Sequence, residues 1–162
     1  MTFSKSFGYA VRGVLFIAAM QPEKHYVQVE EIAAQLGVPR HFMGKILKKL
    51  VKEQVLVSAK GPFGGFTLNE HTLQLPLIRL VDITDGLVSF RTCVLRMKEC
   101  NAQNPCPMHR FMEAVNTKLV DILAGTTLGD LMAGDDPDFI KSLSANAAAE
   151  EILKKKKREK VY

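Results

Sequence analysis

The chain has 162 residues, 47% of them hydrophobic and 24% charged, with a formal net charge of +5. That is enough to bury a core without disulfide staples, and it is the make-up of a soluble globular protein of one ordinary domain plus an appendage. The longest apolar run, residues 14–20, is too short to span a bilayer. Arg12 and the lack of a small-residue cleavage site argue against a secretion signal, so a cytoplasmic protein with no membrane partner is expected.

The charge is uneven. Residues 1–80 carry ten Lys/Arg against five Asp/Glu, residues 81–144 six against nine, and residues 145–162 six against three. The basic N-terminal half is where a polyanion would bind.

Residues 3–20 form a helical pattern, with Phe7, Ala10, Val11, Val14, Leu15 and Ala18 at three- and four-residue spacing and Ser4 as N-cap. Residues 29–38 predict a short helix with a buried stripe of Ile32, Ala33 and Leu36, closed by Gly37 in a left-handed cap. A second helix is expected from about Pro39 to Glu53, and two helices joined by a short glycine turn make a helix-turn-helix. Its apolar face is Met43, Ile46, Leu47 and Leu50, and its basic face is Lys45, Lys48, Lys49 and Lys52. Arg40 and His41 stand at the N-terminal end, which in this motif meets base edges in the major groove. Arg40 suits guanine or a phosphate, and the lysines suit phosphates. Gly44, unusual inside a helix, either permits close backbone approach to DNA or is incidental.

Residues 55–59 and 66–68 are β-rich and flank Lys60-Gly-Pro-Phe-Gly-Gly65, which predicts a hairpin. Directly after a helix-turn-helix, such a hairpin is the wing of a winged helix. Lys60, Gly64 and Gly65 are its candidate contacts to a narrow groove. Residues 75–84 predict a further helix with Leu77, Ile78, Leu80 and Val81 inward, ending at Asp85-Gly86.

All three cysteines then fall in one loop, Cys93-x6-Cys100-x5-Cys106-Pro-Met-His109. An odd, clustered set of thiols in a cytoplasmic protein points to metal binding or redox chemistry rather than a disulfide framework. Residues 107–125 predict a long amphipathic helix with a stripe of Met108, Phe111, Met112, Val115, Leu119 and Ile122. The N-terminal half has its own core, so that stripe is assigned to a partner chain. Residues 126–132 add a short helix, and a basic tail follows that either adds non-specific DNA affinity or solubilises. There is no phosphate-binding loop, dinucleotide fingerprint or defensible catalytic spacing, so no enzyme is expected.

These features resemble the bacterial winged-helix regulators of the IscR/NsrR type, the Rrf-two superfamily. The marks are Met1-Thr-Phe-Ser-Lys5 with Tyr9-Ala-Val-Arg12, Glu31-Ile-Ala33 with Leu36-Gly-Val38, Leu47-Lys-Lys-Leu50, the wing Lys60 to Phe66, the cysteines, and Thr127-Leu-Gly-Asp-Leu131. They cover roughly residues 1–132. The resemblance implies a mainly α fold with a small β-hairpin and four parts. These are a winged helix-turn-helix at 1–86, a cluster-binding loop at 87–109, dimerisation helices at 107–133 and a tail at 134–162.

It also implies a homodimer on double-stranded DNA with an iron–sulfur cluster on the three cysteines. Two departures bear on the cluster. Related sequences commonly have five residues between the first two cysteines, where this chain has six. Some relatives supply an acidic ligand just before the helix-one tyrosine, where this chain has Gly8. The IscR-like branch uses a histidine separated by two residues from the third cysteine, and His109 holds that place. The set Cys93, Cys100, Cys106 and His109 then favours a 2Fe–2S cluster, with 4Fe–4S possible and zinc in a Cys3His site as the alternative. Two other readings stay open: a cluster-free regulator with zinc or oxidisable thiols, and a winged-helix module that binds protein.

Overall fold

The structure, a computed structural model, describes residues 3–133 and 142–143. The basic tail and most of segment 134–162 lie outside the described residues.

Among the described residues, six α-helices and one hairpin are resolved from end to end in the order α1 (Lys5–Met20), α2 (Val29–Leu36), α3 (Arg40–Lys52), β1 (Leu56–Ala59), β2 (Gly65–Leu68), α4 (Leu77–Thr84), α5 (His109–Gly125) and α6 (Leu128–Met132). Two short 3-10 turns, Thr72–Gln74 and Leu87–Phe90, flank α4. The fold is thus mainly α with a two-stranded antiparallel wing, registered Leu56 to Leu68 and Ala59 to Gly65.

α1 starts where Ser4 caps it, its hydroxyl accepting from the Phe7 N–H. Its buried face of Ala10, Val14, Leu15 and Ile17 packs on α2, α3 and α4. Gly13 is buried against α3, where a Cβ would meet Met43 and Leu47 at the ordinary contact distances of 3.6 and 3.7 Å. α2 ends as its glycine dictates, with Gly37 at φ 62° and its N–H returning to the Ala33 and Ala34 carbonyls. Pro39 is the N-cap of α3 rather than its first residue. Met43, Ile46, Leu47 and Leu50 are buried while Lys45, Lys48, Lys49 and Lys52 are exposed, so α3 turns its apolar stripe inward and its basic face to solvent.

The wing is fastened at its base. Val27 and Phe66 exchange both backbone hydrogen bonds at 2.9 Å. Thr72, fully buried, donates its hydroxyl to the Val55 carbonyl at 2.6 Å and accepts the Asn69 N–H at 2.8 Å. Two glycines make the close return of the second strand. A Cβ on Gly65 would lie 2.4 Å from the Val27 oxygen at φ +138°, and one on Gly64 would lie 2.2 Å from the Ala59 oxygen. Gly44, by contrast, has only Val29 at 3.8 Å from such a Cβ. Gly65→Ala will therefore lower unfolding free energy by about 2–4 kcal/mol through strain and collision. Gly44→Ala will leave it equal or raise it by up to about 1 kcal/mol. Urea melts of the two variants check both signs.

After the second 3-10 turn the chain runs as a loop to α5. That helix begins at His109, two residues later than the sequence predicts. The His109 N–H turns back to the Cys106 carbonyl at 2.9 Å, so Pro107 sits in a turn and Met108 supplies the first helical acceptor, bonded to Met112 at 3.0 Å. α5 packs mainly on α4, and of its residues Leu123 is buried. α6 then returns to the main core. Leu128 is fully buried, Thr127 and Asp130 form a capping box, and Leu77 and Leu128 N–H groups bond across to Thr126 and Leu75. No described helix is long and apolar enough to cross a membrane.

Candidate metal centre and nucleic-acid interface

The three thiols converge. Cys93, Cys100 and Cys106 bring their sulfurs within 4.8 Å of one another. Cys93 and Cys106 Sγ are 3.6 Å apart, and His109 Nδ1 lies 3.2 Å from Cys100 Sγ. Cys106 is 8% exposed, and all four residues line one cavity of about 410 Å³ together with Met112 and Asn116.

Local backbone explains the convergence. The Cys93 carbonyl accepts the Arg96 N–H at 2.9 Å, and Arg96 takes a left-handed φ of 56°. This turn points two amides back at the first sulfur. The Met97 N–H foremost, then the Leu95 N–H and the Cys106 and Cys100 thiols, hold the Cys93 thiol below its usual range against the effect of burial. At Cys100 the Cys106 N–H acts the same way, but burial and the neighbouring Cys106 and Cys93 thiols outweigh it and push that thiol up. Cys106 and His109 are positioned together by the turn that starts α5.

The donor set fits a thiolate-bound metal. Two ligands on one tetrahedral ion with metal–sulfur and metal–nitrogen bonds of about 2.3 and 2.0 Å stand about 3.8 Å apart for two sulfurs and about 3.5 Å for sulfur and nitrogen. The pairs Cys93 with Cys106 and Cys100 with His109 both lie near that spacing. Together they supply the four donors of one tetrahedral ion, and the four terminal positions of a two-iron cluster once the Cys100–His109 pair moves outward from the other two sulfurs, which now lie within 4.8 Å of the Cys100 sulfur. The cavity wall also holds a spare acceptor. Asn116 donates to the Phe90 carbonyl at 2.8 Å, but its buried Oδ1 has no hydrogen-bond partner among the described residues. Ligating histidines characteristically need such an acceptor for their second ring N–H.

A second groove, of about 310 Å³, lies between the start of α2, Arg40 at the start of α3 and the wing, and is lined by Gln28, Glu30, Arg40, Gly61, Gly64 and Gly65. Arg40 lines it and is exposed, and His41, Lys45, Lys48, Lys49 and Lys60 are exposed as well. Arg40 is engaged: its Nε donates to Glu30 at 2.5 Å. The Glu30 carboxyl is held low by its own backbone hydrogen bond first and by Arg40 next. Lys49 is near enough to Asp85 to help lower that carboxyl, whose burial is outweighed by hydrogen bonds from Ser4. Gly64 is buried and Gly65 half-buried, so both shape the wing from within. Arg40's ion pair, Asn116 and the amides at Cys93 were not among the sequence expectations. The first could have been sought in Glu30 and Arg40 facing each other across the turn; the others depend on loop geometry.

The assigned α5 stripe divides in two. Phe111, Val115 and Ile122 are 61, 57 and 50% exposed, and Met108 is exposed beside them. Met112 lines the thiol cavity and Leu119 packs on the main core.

A helix-turn-helix carrying a hairpin wing is the architecture of winged-helix transcriptional regulators, here with a thiol centre beside it. Residues 3–134 match the Rrf2 family, described as "Iron-dependent Transcriptional regulator", and the chain belongs to that family. It is 31% identical over 134 residues to a protein of Aquifex aeolicus (strain VF5) whose name places it among HTH-type transcriptional regulators, covering 82% of this chain and 92% of that one. It is 24% identical over 128 residues to the HTH-type transcriptional regulator IscR of Vibrio vulnificus, covering 79% and 75%. Among solved structures its fold is similar to CymR (YrzC), the global cysteine regulator of B. subtilis, with a TM-score of 0.68, 16% identity and coverage of 84% and 99%. It is also similar to T. potens IscR, with a TM-score of 0.63, 18% identity and coverage of 82% and 86%. These relatives are transcriptional regulators rather than enzymes.

Proposed function

We propose that this Rrf2-family regulator is a cytoplasmic homodimer. Its α3 and wing bind double-stranded DNA, and its DNA affinity is set by a 2Fe–2S cluster on Cys93, Cys100, Cys106 and His109. The domain division follows that reading: 1–86 binds DNA, 87–109 holds the cluster and 107–133 pairs the subunits. The observation that carries it is the convergence of the three sulfurs within 4.8 Å, with His109 beside Cys100, in the loop that joins the two working parts.

When bound, the cluster supplies a centre whose charge and ligation change with redox state, iron supply or nitric oxide. The chain's own residues carry the consequence. Cys106 and His109 begin α5, so a change in their spacing moves the first turn of the dimer helix. Phe90 is tied to α5 through Asn116. Leu87–Phe90 joins Gly86, and the adjacent Asp85 accepts from the Ser4 backbone N–H at 2.7 Å and from its hydroxyl. That path links the thiol loop to the N-terminus of α1, on which the helix-turn-helix is packed. Two winged helices shifted against each other fit two half-sites differently.

Anaerobic purification tests the reading. The expected protein is coloured, holds two irons and two sulfides per chain on this scheme, and changes its affinity for a bound duplex when the cluster is removed. A second reading rests on the same compact sulfur spacing, which one zinc ion accepts with less outward movement of the sulfurs. A colourless protein with one zinc and no sulfide would establish it and sink the cluster.

A further inference from the structure

The wing carries an exposed ring that its role as a thin groove-binding loop does not require. Phe63 is 92% exposed, more than any other large hydrophobic residue among those described. Among the other described phenylalanines Phe16 and Phe90 are buried, Phe3 and Phe42 pair with the rings of Phe7 and Tyr9, and Phe111 stands 61% exposed on α5. A ring left in water is unfavourable, and a contact elsewhere on the protein would cover it.

The loop holds this ring out on a stiff mount. Gly64 N–H bonds back to the Gly61 carbonyl at 3.0 Å, closing the tip. Gln28, at the start of α2, donates its side-chain amide to the Pro62 carbonyl at 2.9 Å. Pro62 fixes its own backbone φ. Gly64 and Gly65 lie so near the Ala59 and Val27 backbones that a Cβ on either would collide with them. The tip is therefore glycine, proline and glycine around one large side chain, with the cation of Lys60 at its shoulder.

The surroundings name the occupant. Lys60 is exposed at the foot of the tip, Arg40 lines the groove against Gly61 and Gly64, and Lys45 and Lys48 are exposed on the helix that Arg40 begins, so the partner is a polyanion. A rigid apolar side chain flanked by a cation is the tool with which proteins enter the minor groove, part a base step and bend the duplex.

We propose that Phe63 is such a wedge. With α3 in the major groove, each wing sets its ring into the adjacent minor groove, partly unstacks one base step and bends the DNA. A flexible pyrimidine–purine step is then favoured at that place, without any hydrogen bond to it. The proposal rests on the DNA-binding reading above.

The test uses a duplex selected from a random 30-base-pair library by the wild-type protein, end-labelled for energy transfer and carrying 2-aminopurine at the steps facing the wing. Wild type is expected to shorten the end-to-end distance and to brighten 2-aminopurine at one step per half-site. Phe63→Ala is expected to lose both signals and bind roughly tenfold more weakly, with an unchanged salt slope, because no phosphate contact is lost. Phe63→Leu should restore most of the bend. Lys60→Ala should behave in the opposite way, keeping the bend while its salt slope falls by about one. Thermal melts should match wild type, since the ring is exposed. If Phe63→Ala bends, brightens and binds like wild type, the wedge is overturned while DNA binding stands, and the ring serves a protein surface instead. A wild type that selects no duplex overturns both.

Discussion

Phe111→Asp, Val115→Asp and Ile122→Asp will each yield a folded monomer at micromolar concentration, and each will weaken binding to a two-half-site duplex by about 10²–10⁴-fold. The three side chains share one stripe of α5, and all are at least half exposed. The helix is held in place from its other side, through Leu123 against the core and Asn116 to Phe90. Substitution on the outer stripe therefore leaves the subunit's own packing intact.

In a two-fold dimer each stripe residue is buried twice, once in each subunit. Full burial of a Val, Ile or Phe stabilises by about 1.5–3 kcal/mol, of which covering the exposed half of these three adds about 1–1.5 kcal/mol each, and association costs an estimated 4–15 kcal/mol or more in lost freedom. Six such side chains offset that cost; losing two while burying two unpaired carboxylates does not. DNA affinity follows, because a monomer engages one half-site and loses the effective concentration of the second. Sedimentation equilibrium, circular dichroism and titration of the same duplex separate the steps. Dimers that persist in all three variants would place the subunit contact elsewhere.

Much of this architecture could be read from residue pattern alone, and the reasons are local. The α3 stripe of Met43, Ile46, Leu47 and Leu50 follows the helical period and is buried. Gly37 stands where only a left-handed cap ends α2, at φ 62°. The thiols were legible because their chemistry needs them together. What escaped depends on contacts distant in sequence or on segments without a period. The two 3-10 turns are three and four residues long, too short to show one. Thr72 gives no sign in sequence that it closes the wing base onto Val55. Nothing around Arg12 in the sequence shows that its guanidinium reaches the Leu36 carbonyl at 3.0 Å and the Leu143 carbonyl at 2.5 Å, 131 residues away. Arg40 is paired with Glu30, which a list of basic residues does not reveal. Even the α5 stripe is a single hydrophobic pattern in sequence, and only packing separates its inward members, Met112 and Leu119, from the exposed ones.

Cys93→Ala, Cys100→Ala and Cys106→Ala will each purify anaerobically without the bound centre, and His109→Ala will hold it weakly. The difference follows from the donors. Each thiolate supplies negative charge as well as a bond, and Cys93 is further favoured by the Met97 and Leu95 amides aimed at its sulfur. Cys106 is buried at the back of the cavity, so its removal leaves a gap that solvent ligands fill poorly. Removing His109 leaves three thiolates to retain the metal. Retention should still fall by more than the roughly 10–100-fold that the loss of an outer hydrogen-bond partner costs. Gly8 has no side chain with which to replace it. His109→Cys should restore retention with a shifted absorption spectrum, since a fourth thiolate changes the charge of the centre. The measurements are metal and sulfide per chain and the rate of release to a chelator. His109→Ala protein that releases its metal at the wild-type rate would remove His109 from the ligand set and leave the fourth position to another group, while a Cys→Ala variant with a full complement of metal would sink the three-thiol site itself.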